Sequence, residues 1–168
     1  FMEALQQSAT VLVEAYRAHR KVLLCGNGGS AADAQHIAAE LTGRFYKDRP
    51  PLDAEALHVN SSYLTAVAND YGFEAVYARL VEARGQEGDV LVAISTSGNS
   101  PNVLQAVQVA KQKKMTVIAL TGEKGETLAR EAACVLAVPS SDTPRIQEAH
   151  ILIGHLWCGF IEQALFGA

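Results

Sequence analysis

The run Val90-Leu91-Val92-Ala93-Ile94 constrains this chain more than any other stretch. It is apolar without interruption, short and rich in β-branched residues, so it reads as a strand buried on both faces. Strands of that kind belong to parallel sheets covered by helices, which narrows the fold to the α/β class. The run stops in Ser95-Thr96-Ser97-Gly98-Asn99-Ser100, and apolar residues then recur at helical spacing from Val103 to Lys114. Ser100 is a good N-cap, and Pro101 suits the first helical position. A strand therefore runs through a hydroxyl-rich loop into a helix N-terminus, where unpaired N–H groups and the positive end of the dipole suit an anion. No lysine stands in the loop, so it is not a Walker-type P-loop. An ordinary serine-rich turn has the same spacing; four hydroxyl residues in six positions favour a phosphate cradle.

A second unit of the same kind lies earlier. Lys21 to Cys25 reads as a buried strand, and Gly26-Asn27-Gly28-Gly29-Ser30 follows. Ser30 with Asp33 predicts a capping box for a helix from Ala31 to Leu41, closed by Gly43. Ala31 stands where the dinucleotide fingerprint has its third glycine, so the loop alone is weak support for a nucleotide. Around these units the periodicity predicts an opening helix from Met2 to about His19 and a long Pro-containing loop from Arg44 to Ala54. It predicts strands at Glu55–Val59, Thr116–Leu120 and Cys134–Val138, a short helix capped by Ser61 or Ser62, and helices over Phe73–Ala83 and Arg145–Phe166. Alternating strands and helices imply a three-layer αβα sandwich on a five-stranded parallel sheet. Ligands in such sheets bind at the carboxyl ends of the strands, where both loops lie.

At 168 residues the chain suits one domain, 1–168. With 49% hydrophobic and 19% charged residues it is globular, and a net charge of −4 excludes non-specific nucleic-acid binding. Cys25, Cys134 and Cys158 are too few and scattered for a disulfide framework, and Cys25 and Cys134 sit in apolar runs; buried free thiols in a reducing compartment are expected. No stretch is apolar for long enough to span a bilayer and no signal peptide is visible, so no membrane partner and a cytoplasmic location are expected. The sequence opens on Phe1-Met2 already inside a helical pattern, and a further N-terminal stretch is expected before it.

His36 and Glu40 are four apart on the helix after the glycine loop and share a face. An exposed pair of that kind is common, but this helix starts at a candidate ligand loop. Gln147, His150 and His155 lie on the last helix. Gln147 and His150 are three apart; Gln147 and His155 are eight apart, about 80° around the axis. Spacing leaves both histidines open. From residues alone, the chain is a phosphate-ligand domain carrying candidate acid/base groups.

Several blocks together resemble one family. Gly26-Asn27-Gly28-Gly29-Ser30, Asp33-Ala34-Gln35-His36 and Ala39-Glu40-Leu41-Thr42-Gly43-Arg44 are similar to the phosphoheptose isomerases of the sugar isomerase (SIS) fold, a flavodoxin-like or Rossmann-like sandwich. So are Leu64-Thr65-Ala66, Ala68-Asn69-Asp70-Tyr71, Ile94 to Ser100, and Arg145 to Ile151. The resemblance implies an isomerase interconverting sedoheptulose 7-phosphate and D-glycero-D-manno-heptose 7-phosphate, towards bacterial heptose and lipopolysaccharide. It implies that Asn27, Gly28 and Gly29 contact substrate, that Asn69 and Asp70 meet sugar hydroxyls, and that Ser95, Thr96, Ser97 and Ser100 hold the phosphate. His36, Glu40, Gln147 and His155 match the family's metal and catalytic set, with one zinc per subunit and Glu40 and His155 as acid/base residues. Gln147 is also implied in substrate binding, and Arg44 at the pocket rim. The family thus selects His155 over His150. Rival readings are a non-catalytic SIS relative that binds the replication initiator, which lacks the Glu and His found here, and a phosphosugar-sensing regulatory domain. Apolar faces on the first helix (Leu5, Leu12, Val13) and the last (Leu152, Leu156, Trp157, Phe160, Ile161) predict a symmetric oligomer, and the family suggests a homotetramer.

Overall fold

The computed structural model describes residues 1–167, so Ala168 of the expected 1–168 domain lies outside them. Five strands, β1 (Val22–Gly26), β2 (Ala54–Ala56), β3 (Val90–Ser95), β4 (Thr116–Gly122) and β5 (Cys134–Val138), form one sheet in the order β2-β1-β3-β4-β5, every pair parallel. The uninterrupted apolar runs are explained by burial on both faces. In β3, Val90, Val92 and Ile94 join the core under one helical layer, and Leu91 and Ala93 join the core under the other. The first layer holds α1 (Met2–Arg17), α2 (Gly29–Thr42) and α7 (Thr143–Phe166). The second holds α3 (Ser61–Tyr71), α4 (Val76–Arg84), α5 (Pro101–Gln112) and the short α6 (Glu126–Ala129). No described helix is long and apolar enough to cross a membrane.

This strand order puts the topological switch point between β1 and β3. The chain leaves β1 towards α2 on one face and leaves β3 towards α5 on the other, and the loops diverge around a crevice at the strands' carboxyl ends. Both glycine- and serine-rich loops lie there.

Several local expectations are corrected. The capping box at Ser30 does not form: α2 starts two residues earlier, at Gly29, its N-cap is Gly28 at φ 56°, ψ −121°, and no side chain caps it. Only glycine takes that conformation readily, and it turns the chain so sharply that Ser30 falls inside the helix and is buried beneath Gly26. Ser100 does stand at the N-cap of α5, but its hydroxyl makes no cap bond. Asn60 caps α3, accepting from Tyr63 N at 3.0 Å, in place of Ser61 or Ser62. The helix expected over Phe73–Ala83 begins as a single 3-10 turn, Phe73–Ala75. β2 is shorter than Glu55–Val59, and α7 begins at Thr143 with Pro144 in its first turn.

The apolar face of α1 packs within the chain itself. Leu5, Leu12 and Val13 are buried, and Trp157 of α7 donates its indole N–H to Ser8 Oγ at 2.9 Å, pinning the two helices together. Trp157 and Ile161 are buried too; Leu152, Leu156 and Phe160 of α7 remain exposed, as do Phe1 and Met2. The three cysteines are buried and unpaired, as expected, and burial pushes the Cys25 and Cys158 thiols up to about 12.

Candidate active site

Between the two loops lies a cavity of about 300 Å³. Asn27, Gly28, Gly29 and Ser30 line it from the first loop, Ser95, Thr96 and Ser100 from the second, and Thr143 and Gln147 from α7. Its hydroxyls are not equivalent. Ser95 Oγ is buried, accepts from Gly98 N at 3.1 Å and pairs with Ser100 Oγ at 3.0 Å, so these two brace the loop. Gly98, at φ +67°, lets the loop pack on the backbone of Gly125, where an ideal Cβ would stand 2.4 Å from Gly125 Cα. Thr96 faces the cavity. Ser97 is exposed and lines an adjoining hollow of about 200 Å³ with Thr96, Thr143 and Lys124.

Asn27 is held rather than free. Its amide exchanges two 2.9 Å hydrogen bonds with the Asn102 amide, and Tyr77 donates its hydroxyl to Gly26 O and, at 3.3 Å, to Asn27 Oδ1. Burial raises the Tyr77 phenol well above its ordinary value, so it stays a neutral donor. This clasp fixes the glycine loop against the start of α5. Asn102 and Tyr77 carried no sequence signal beyond a polar residue in a first helical turn and a tyrosine at an apolar helical position.

α2 and α7 both lead from this cavity to a second cluster. From Gly29 to His36 is about 10 Å of helix axis, comparable with an extended seven-carbon sugar phosphate. His36 Nε2 faces His155 Nε2 at 2.9 Å, one ring donating and the other accepting, and lies 3.4 Å from Glu40 Oε1. One ligand atom from each of His36, Glu40 and His155 falls within 4.8 Å of the others. Two imidazoles and a carboxylate converging in this way could hold a metal ion, and the donor set suits zinc. Their convergence depends on a glycine that the sequence reading passed over. At Gly154 an ideal Cβ would stand 2.5 Å from two carbons of Ile37, so α7 approaches α2 closely one residue before His155. A glycine inside a helix costs about 1 kcal/mol relative to alanine, and that penalty was the available signal.

The other expected residues distribute plainly. Gln147 lies against Gly29, where an ideal Cβ would stand 2.4 Å from its Nε2. His150, left open by spacing, is fully buried with Nε2 3.2 Å from Thr121 O; burial lowers its imidazole below the ordinary value, opposed by that hydrogen bond. It belongs to the core. Asn69 and Asp70 are exposed on α3, bonded to each other at 2.8 Å, and line neither hollow. Arg44 is exposed. A larger groove of about 530 Å³ between α1 and α7 shares no lining residue with the polar cavity.

A doubly wound sandwich with a lysine-free hydroxyl loop at its switch point and a His/Glu/His cluster two helical turns away defines an α/β domain of the sugar-isomerase kind. Comparison with known families agrees, with residues 2–122 matching the SIS domain. The phosphoheptose isomerase of Rhodospirillum rubrum is 54% identical over 162 residues, which cover 96% of this chain and 86% of that relative. That of Mycobacterium tuberculosis is 55% identical over 165 residues, 98% of this chain and 84% of the relative. The solved phosphoheptose isomerase of Neisseria gonorrhoeae aligns with a TM-score of 0.90 at 48% identity, covering 96% of this chain and 86% of that one. The chain belongs to the SIS-domain family and, within it, to the phosphoheptose isomerases.

Proposed function

We propose that residues 1–168 act as one SIS domain, an aldose–ketose isomerase that interconverts sedoheptulose 7-phosphate and D-glycero-D-manno-heptose 7-phosphate for bacterial heptose and lipopolysaccharide precursors. The observation that carries this reading is the convergence of His36, Glu40 and His155 within 4.8 Å, a helix's length from a hydroxyl-lined anion cavity. The reaction moves a proton between C1 and C2 through an enediolate, so it needs a base beside those carbons and a second group to handle oxygen protons. Thr96 and Ser97, on a loop braced by Ser95 and Ser100, take the phosphate together with the N-terminus of α5. Asn27, Gly28 and Gly29 shape the wall along which the sugar runs towards Glu40. Glu40 carries the C1/C2 proton, and His155 opens the ring and exchanges protons with the oxygens.

His36, Glu40 and His155 are the residues that would hold one zinc ion per subunit, and Gln147, whose amide lies against Gly29, would join them by turning towards that cluster. When bound, the ion supplies polarisation of the substrate oxygens. Asn69 and Asp70, outside the cavity of their own chain, meet sugar hydroxyls where assembly brings α3 to a site. The exposed Leu152, Leu156 and Phe160 face of α7 supports such an assembly, a homotetramer, and the three unpaired thiols support a cytoplasmic location. The test is direct: the purified protein, incubated with sedoheptulose 7-phosphate, should yield the aldose phosphate. Absence of that product in zinc-supplemented buffer would overturn the reading.

A further inference from the structure

The loop after α2 is held by two buried charges that the chemistry above does not use. Glu162 lies on α7 seven residues, or two turns, beyond His155, and is 2% exposed. Its carboxylate accepts from three successive backbone N–H groups, Phe45 at 3.1 Å, Tyr46 at 2.9 Å and Lys47 at 3.0 Å, and from Arg49 Nε at 3.1 Å. Burial alone would raise this carboxyl; the three N–H donors and the guanidinium outweigh it and hold it below its ordinary value. Apart from one Nη1 bond to Pro50 O at 3.2 Å, the other donors of Arg49 go to the end of α2. Nη2 donates to Glu40 O at 2.8 Å, and Nη1 to Leu41 O at 2.6 Å and Gly43 O at 3.3 Å. Those carbonyls have no partner within the helix, so Arg49 caps α2 from outside. The same folding of the loop stacks the Phe45 ring on His155, with centroids 5.7 Å apart and planes 24° apart.

We propose that Arg49, Glu162 and Phe45 are positioning residues of the acid/base site. The buried pair fixes Glu40 on α2 against His155 on α7, and Phe45 sets the plane of the His155 ring. This rests on the assignment of Glu40 and His155 above. A role in stability alone explains the pair poorly, because apolar residues of similar volume commonly hold a fold as well as a buried ion pair does. What the pair adds is direction: its bonds run from the helix of His155, through the loop, to the backbone carbonyl of Glu40 itself. Neither side chain is left with an unpartnered buried polar atom among the described residues. Outer partners of this kind are worth about 10–100-fold in metal affinity or activity.

The test compares the parent with Phe45→Leu, Arg49→Lys and Glu162→Gln in the full chain. It measures kcat and KM on sedoheptulose 7-phosphate, and zinc affinity of the metal-free protein by competition with a chromophoric chelator. Phe45→Leu should fold normally, lose about tenfold or more in kcat, keep KM within twofold because the phosphate loop is untouched, and bind zinc more weakly. Arg49→Lys keeps the charge but cannot span three carbonyls, and should show the same split. Glu162→Gln leaves Arg49 a buried unpaired charge and is the variant most at risk of unfolding; the other two carry the test without it. Parental kcat and zinc affinity in folded Phe45→Leu and Arg49→Lys would overturn the proposal. An inactive parent would instead overturn the isomerase reading, and the zinc competition would still decide whether these residues position the cluster.

Discussion

Gly29→Ala separates the site from the scaffold. A Cβ at residue 29 would stand 2.4 Å from Gln147 Nε2, 2.7 Å from its Cδ and 2.8 Å from its Oε1, and its three nearest neighbours include no backbone atom. Ordinary contacts begin near 3.4 Å, so the amide must retreat by about an ångström. That amide ends a flexible side chain, and a small torsional adjustment costs about 0.5–1.5 kcal/mol. Alanine gains up to about 1 kcal/mol over glycine in a helix, so the two effects nearly cancel. At roughly 2–4 °C per kcal/mol for a chain of this size, the melting temperature should move by no more than a few degrees. Ligand binding should not survive so well. A lost hydrogen bond from Gln147 is worth about 0.5–1.5 kcal/mol to a neutral group and about 1.5–3 kcal/mol to a charged one, a weakening of roughly 2- to 150-fold. Calorimetric titration with the ketose phosphate, beside a thermal melt, reads both quantities. Gln147→Ala should reproduce the loss, and the double variant should lose no more than either single one. A melting point lowered by 10 °C or more, read against that roughly 2–4 °C per kcal/mol, would show that residue 29 serves the backbone. Unchanged binding would remove Gln147 from the ligand.

Gly98→Ala should behave in the opposite way. It combines a φ of +67° with a backbone clash against Gly125, and a cost of about 2–4 kcal/mol should lower the melting temperature by roughly 5–15 °C. Ser97→Ala should weaken phosphorylated sugars by about 1.5–3 kcal/mol while leaving the melting point unchanged; equal affinity in parent and variant would move the phosphate elsewhere. His150, buried and lowered in the fold, binds its proton more readily when unfolded. Its contribution is therefore complete above its ordinary value of 6.5 and lost as pH falls through the folded value. Urea unfolding should show stability rising with pH across that window and a shallower slope in His150→Asn. An identical slope would mean that His150 does not titrate on unfolding.

The sheet was legible because strands buried on both faces leave no polar alternation, and Val90–Ile94 could be little else; Cys134–Val138 is as apolar, although at the sheet edge its Ala137 is exposed. Ends were less legible. Ser30 looked like a cap because the Ser-x-x-Asp spacing is right, but the φ of Gly28 is a tertiary choice that spacing does not report. The loops announced themselves through glycine and hydroxyl density, yet which hydroxyl braces and which faces the cavity depends on the Ser95–Ser100 contact. His36 with Glu40 was visible as a helical pair. Its union with His155 came from the family resemblance and not from spacing, since the two helices meet through Gly154 and Ile37, more than a hundred residues apart in sequence. Arg49 and Glu162 were invisible for the same reason: each reads alone as an ordinary surface charge.

Glu40→Gln carries the most direct test of the chemistry. Gln keeps the size and hydrogen-bonding reach of Glu40 but cannot accept the C1/C2 proton, while the hydroxyl loop that binds phosphate is untouched. General base catalysis is worth about 10²–10⁴-fold, so turnover of sedoheptulose 7-phosphate should fall by at least 10² with the ketose phosphate still bound. Near-parental turnover in Glu40→Gln would show that the carboxylate beside His36 and His155 is structural, and that the proton moves by another group.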